Sequence, residues 1–150
     1  MKLNLFLTAL AITFLMSPKA VNAQDSLPQN NACEARTSQT LAQGEFTKKR
    51  YTISGNWQID QDCTSTIVNF GESFKTKGGP DLKVYLSKLP LSELSNKTVD
   101  RNGMKLSVLK ANQGAQSYTI PADVNLSEYK SVVIHCEAFS VLWGGFDLPE

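Results

Sequence analysis

The side chains best suited to chemistry lie together near the end of the chain, in Val132-Val133-Ile134-His135-Cys136-Glu137-Ala138-Phe139. This stretch brings a thiol, the single histidine of the sequence and a carboxylate into one run. A cysteine acts as nucleophile, redox group or metal ligand through its thiolate, so it needs a lowered pKa and access to a reactant. The run is rich in β-branched residues and reads as a strand, in which alternate side chains share a face. Val132, Ile134 and Cys136 then point one way, and Val133, His135 and Glu137 the other. His135 is therefore not placed to act as a general base toward Cys136. The plain reading of the pattern is a small buried thiol beside the core, with His135 an ordinary surface residue next to Glu137.

Other catalytic constellations are excluded by counting. A Ser-His-Asp triad would have to use His135, and no nucleophile elbow is present. There is no second histidine for a zinc or copper site, and three widely spaced cysteines do not resemble a zinc site. No metal site is expected. Gly78-Gly79-Pro80 lacks the Lys and following helix of a phosphate-binding loop and reads as a turn. No acid–base pair suggests itself, so turnover of a small molecule is the weakest reading.

The other two cysteines, Cys33 and Cys63, sit in the polar settings Asn31-Ala32-Cys33-Glu34 and Asp60-Gln61-Asp62-Cys63. Both settings suggest surface loops, whereas Cys136 lies in an apolar run. This favours a Cys33–Cys63 disulfide with Cys136 left over, although sequence alone does not fix the pairing. Such a bond would stabilise the fold by about 3–4 kcal/mol on the chain-entropy model.

The elements that must position these residues are short. Tyr51, Ile53, Trp57 and Ile59 alternate along one strand, with Gly55 a bulge site, and Trp57 is expected to pack inward. A turn at Asp60-Gln61-Asp62 leads to a return strand over Thr64 to Phe70. Leu82, Val84 and Leu86 alternate with Lys83, Tyr85 and Ser87 in a half-buried strand. Pro90 to Lys97 suits a short helical turn, and Asn102-Gly103 a tight turn. Strands follow through Leu106 and Val108, Ser117 to Ile120, Ser131 to Glu137, and Phe139 to Trp143. About eight short strands with frequent turns predict an all-β, antiparallel, single-domain sandwich or barrel-like fold.

Residues 1–23 read as a secretory signal: Lys2 precedes the apolar run Leu5 to Met16, Pro18 breaks it, and Val21-Asn22-Ala23 suits signal peptidase. That run covers 12 residues, short of the roughly 20 a membrane helix needs. A secreted or periplasmic protein with no membrane span after cleavage is expected. Residues 24–43 form a polar arm or linker, and residues 44–150 the β domain. Of the 15 basic groups, loss of Lys2 and Lys19 leaves 13 against 14 acidic ones. That balance does not suggest nucleic acid as a partner.

Gly44 to Leu148 resembles the DM-thirteen domain, an electron-transfer-type domain that occurs with DOMON and b-type cytochrome domains. The resemblance rests on Gly78-Gly79-Pro80-Asp81-Leu82 with Val84 and Leu86, and on Leu109-Lys110, Gly114, Tyr118, Ile120 and Pro121. It is completed by Tyr129-Lys130-Ser131-Val132-Val133-Ile134, Cys136 and Phe139-Ser140-Val141. It implies a β-rich domain whose signature cysteine, here Cys136, acts in redox chemistry as a bare thiol or as a ligand to a group such as haem. His135 stands where the family often has Trp, and Trp143 where it often has Phe. The sequence carries no DOMON or cytochrome segment, so electron transfer would need a partner of that type or a bound cofactor. Two further readings stand beside this one: a non-catalytic extracellular or periplasmic binding or adhesion module with Cys136 as core packing, and a haem held by His135.

Overall fold

A computed structural model describes residues 38–149, which form an antiparallel β-sandwich. The first sheet is ordered β1 (Gln39–Glu45), β4 (Asn56–Gln61), β5 (Thr66–Phe70), β9 (Gln116–Ile120). The second is ordered β2 (Thr47–Lys48), β11 (Val141–Asp147), β10 (Ser131–Cys136), β7 (Leu82–Ser87), β8 (Gly103–Val108). A two-stranded ribbon of β3 (Ile53–Ser54) and β6 (Lys75–Thr76) closes one side. The expected signal sequence, most of the expected polar arm and Cys33 lie outside the described residues.

The all-β sandwich expectation holds, with 11 strands among the described residues rather than about eight. The additional ones, β2, β3 and β6, have two residues each, too few to leave an alternating pattern. The first strand also starts earlier than expected, at Gln39 rather than near Gly44. Its inward residues, Ala42 and Gly44, are small and give little hydrophobic signal.

The expected single strand through Tyr51 to Ile59 is two strands in different sheets. Gly55 divides them with φ +108°. A Cβ at Gly55 would fall 2.6 Å from the Ser73 carbonyl oxygen and 2.5 Å from the Phe74 Cα. The chain therefore leaves the ribbon and enters the first sheet where only glycine fits. Beyond it, Trp57 and Ile59 point inward, as expected, and Trp57 stacks on Phe146 at 3.9 Å between ring centroids.

The two inner faces meet in one core that includes Ile59, Val68, Phe70, Val84, Leu86 and Ile134. A second, smaller cluster lies on the other face of the β2–β8 sheet, made by Tyr85, Leu91, Leu94, Val99, Val133 and Leu142. The β7–β8 connection supplies its cover. This segment passes through hydrogen-bonded turns at Pro90–Glu93 and Ser95–Thr98 into helix α1 (Val99–Asn102). It is tied down where the Leu91 N–H donates to the Asp147 carboxylate (2.5 Å) and the Leu142 N–H to the Asn96 side-chain Oδ1 (2.9 Å). The helical structure comes slightly later than expected, and Asn102-Gly103 is the step from α1 into β8 rather than a free-standing turn. β7, expected to be half-buried, is covered on both faces, with Tyr85 and Ser87 buried as well as Val84 and Leu86.

Replacing glycine at two positive-φ positions separates strain from collision. Gly114 has φ +84° and nothing within 4 Å of a built Cβ. Gly114→Ala is expected to cost about 1 kcal/mol from backbone strain. Gly55→Ala adds a backbone clash and is expected to cost at least about 2 kcal/mol more. Urea midpoints of the two variants check this difference.

Candidate functional site

Cys136 is the last residue of β10, paired with Leu82 on β7 and Val141 on β11. Its side chain is 0 % exposed and packs in the main core, as its position in the alternation predicts. It is the free cysteine among the described residues. Immediately beyond it the strand ends. The Glu137 N–H donates to the Asp81 carbonyl (3.1 Å), and Glu137–Phe139 forms one 3-10 turn. Ser140 closes that turn in the left-handed region, φ 48°. Phe139, next to it, is 70 % exposed. The sulfur is thus buried, but it lies at a strand end against a short surface turn.

His135 does not face solvent. It is 0 % exposed, and its ring meets Tyr85 edge to face at 6.0 Å between centroids. The expectation of a surface histidine fails because the β7–β8 connection covers that face of the sheet. The argument that His135 and Cys136 take opposite faces holds, since Cys136 packs in the main core while Tyr85, beside His135, belongs to the second cluster. A bulge accompanies the pair: Ile134 lies opposite Gly144 and His135 opposite Leu142, leaving Trp143 as the extra residue on β11. Trp143 turns into the main core, where its indole N–H donates to the Lys77 carbonyl (2.9 Å).

A charged cluster surrounds this end of β10. The Tyr85 hydroxyl donates to the Glu137 carboxylate, which also accepts from Lys105 Nζ at 3.0 Å. Lys83 Nζ contacts Asp81 at 2.5 Å with its side chain 14 % exposed. The hydrogen bond to Asp81 holds the Lys83 ammonium charged above its ordinary 10.5, with smaller contributions from Glu137 and Cys136. Sequence reasoning missed this cluster. The partners of Glu137 come from β7 and β8, and the pairing that brings them together includes a register shift between Val84 and Tyr85 that no local pattern signals.

Haem does not fit these residues. Cys136 and His135 are both sealed within the sheet, between β7 and β11, and none of the three cavities described at the surface borders either one. Among the described residues no group of His, Cys, Asp and Glu could hold a metal ion. Cys63 lies in the β4–β5 turn, where Asp62 accepts from the Thr64 and Ser65 N–H groups, both at 2.7 Å. No helix among the described residues is long and apolar enough to cross a membrane.

The Tyr85 hydrogen bond, followed by that of Lys105, holds the Glu137 carboxyl below its ordinary 4.5. A carboxyl depressed by folding contributes stability above its unfolded pKa and loses it as pH falls through the folded value. Glu137→Gln is therefore expected to flatten the loss of stability between about pH 5 and pH 3. Tyr85→Phe is expected to reduce the same pH-dependent component. Urea unfolding across that range reads both; a wild-type profile in the Glu137→Gln variant would contradict the assignment.

The family model for electron transfer DM13 matches residues 45–148. No curated protein and no solved structure matches the chain. The matched span runs from the end of β1 through β11 and takes in Cys136 with the charged cluster around it, so the chain belongs to the electron transfer DM13 family.

Proposed function

We propose that this domain is an exported electron-transfer module in which Cys136 is the group that changes oxidation state. One observation carries the reading: in a chain of this family, the free thiol stands at a strand end under a single surface turn. The family supports a redox role, and the geometry gives that role a candidate atom. Opening of the 137–140 turn uncovers the sulfur. Its thiolate then attacks a partner's disulfide, forming a mixed disulfide and releasing the partner's second sulfur as thiolate, a balanced two-electron exchange. Exposed Phe139, three residues further along, offers that partner an apolar contact.

The partner is an exported protein with a reducible disulfide; the DOMON- and cytochrome-type proteins implied by the family resemblance are the first to test. Export follows from the signal-like residues 1–23. In an oxidising compartment a Cys33–Cys63 bond would tie the polar arm to the β4–β5 turn and keep both thiols out of the exchange.

A second reading is favoured by the complete burial of the sulfur: a binding module in which Cys136 only packs the core. Buried free cysteines commonly act as small hydrophobes. The two readings part on one variant. Cys136→Ala is expected to cost about 1–2 kcal/mol of stability on either reading. It abolishes exchange on the first and leaves partner capture intact on the second.

The test uses the native full chain and oxidised glutathione as the disulfide. Peptide mapping by mass spectrometry is expected to find slow addition of one glutathione at Cys136, absent from Cys136→Ala. A native protein that takes up none at that position, while the urea-unfolded chain does so readily, would overturn the redox reading.

A further inference from the structure

At the end of β10 opposite Cys136 the two sheets part, and a cleft of about 240 Å³ opens between them. One wall is Leu41 and Ala42 of β1 with Ile59 of β4. The other is Lys130, just before β10, with Leu148, just after β11. Leu126 and Tyr129, in and beside the 3-10 turn Leu126–Glu128, border it as well. Ile59 and Leu148 belong to the main core, and Ala42, Leu126 and Tyr129 pack against it. The cleft is thus a part of the sandwich interior that stays open to water.

Two features converge on this opening. The first is a bulge in β1 between Thr40, opposite Asp60, and Ala42, opposite Ile59. Leu41 is the extra residue, 40 % exposed. A bulge re-aims a side chain, and this one brings a leucine to the cleft. The second is Lys130. Its N–H donates to the Ser87 carbonyl (2.7 Å) and its carbonyl accepts from the Leu148 N–H (2.8 Å), so it extends the β10 ladder by one residue. Ser131 turns away and its hydroxyl donates to the Leu89 carbonyl (2.8 Å). Alternation therefore puts Lys130 on the face of Val132 and Ile134, toward the other sheet. Inward charges protect edge strands from mispairing, but β10 is the central strand of its sheet. Lys130 forms no ion pair among the described residues, and no carboxylate among them lines the cleft. Lys88, 5.7 Å from the Tyr129 ring centroid, is already paired with Glu128 at 2.8 Å. Lys130 is left as the uncompensated charge at the mouth.

The ligand chemistry follows from these walls. They are largely hydrocarbon, so a sugar or an amide inside them would leave polar groups unpaired. A cation would meet Lys130. The volume falls below the roughly 300–1,000 Å³ of sites for drug-sized ligands, which suits one slender chain. We infer that the cleft binds a single-chain amphiphile with an anionic head, a free aliphatic carboxylate. Its chain lies between Ile59 and Leu148, and its carboxylate meets Lys130. The site is six residues along β10 from Cys136, about 20 Å, and does not rest on the redox reading.

The test is calorimetric titration of native full-length protein with hexanoate, octanoate and decanoate below their micellar concentrations. Saturable binding at one site is expected, tightening about fourfold per added methylene until the cleft is full. Decyltrimethylammonium is expected to bind at least about tenfold more weakly than decanoate. Lys130→Gln keeps the ladder bonds of the backbone. It is expected to weaken decanoate about tenfold and to leave 1-decanol unchanged, a split that a merely structural role would not give. Leu41→Ala is expected to weaken both ligands about fivefold. Lys105→Ala, far along the sheet, is expected to change neither. A cleft closed by a second copy of the chain would give a dimer that excludes decanoate. A cleft that docks on a membrane would give binding to phosphatidylglycerol vesicles without saturable uptake of free decanoate. Either result overturns the proposal, as does equal binding of decanoate and decyltrimethylammonium, or decanoate binding that Lys130→Gln and Leu41→Ala both leave intact.

Discussion

Strand β10 is covered on both faces, and the rest of the structure is arranged around that condition. On one side Val132, Ile134 and Cys136 enter the sandwich core; on the other Val133 and His135 lie beneath the β7–β8 connection. Val132, Val133 and Ile134 are almost fully withdrawn from water, each contributing about 1.5–3 kcal/mol of transfer free energy. A strand in that position cannot slip by one residue without reversing both faces, so its register is strongly specified. The register places the sulfur inward at the strand's last residue and brings the turn that follows against β7.

The burial also restricts the chemistry. A sealed thiol and a sealed imidazole on opposite faces cannot share a planar cofactor, and neither borders a surface cavity. On the proposed redox reading the thiol is protected in the ground state and uncovered by a local opening. Low-stability openings of that kind concentrate at strand ends and surface turns. The 137–140 turn fits: it is a single 3-10 turn closed by a non-glycine residue in the left-handed region, with an exposed aromatic residue inside it.

Much of this was legible in the residues. The period-two runs through Leu82–Ser87 and Ser131–Cys136, and the inward direction of Trp57 and Cys136, follow from alternation alone. His135 was misjudged because alternation assigns a face but does not say whether something covers it. The cover comes from Leu91, Leu94 and Val99, whose spacing reads as no more than a short helical turn. The break at Gly55 was legible as a bulge but not as a change of sheet, which depends on how closely Phe74 approaches. The Tyr85–Glu137–Lys105 contacts depend on strand pairing and on a register shift, whereas Asp81 and Lys83, two residues apart, meet locally.

The central claim is that Cys136 is reached by local opening at the end of β10 rather than by unfolding of the domain. The most direct measurement is the rate of Cys136 alkylation in native protein at increasing sub-denaturing urea concentrations, followed by peptide mass spectrometry. Local opening exposes little surface, so the account predicts a measurable rate in water and a dependence on urea far shallower than that of global unfolding. A labelling rate that follows the global unfolding free energy at every urea concentration would contradict it.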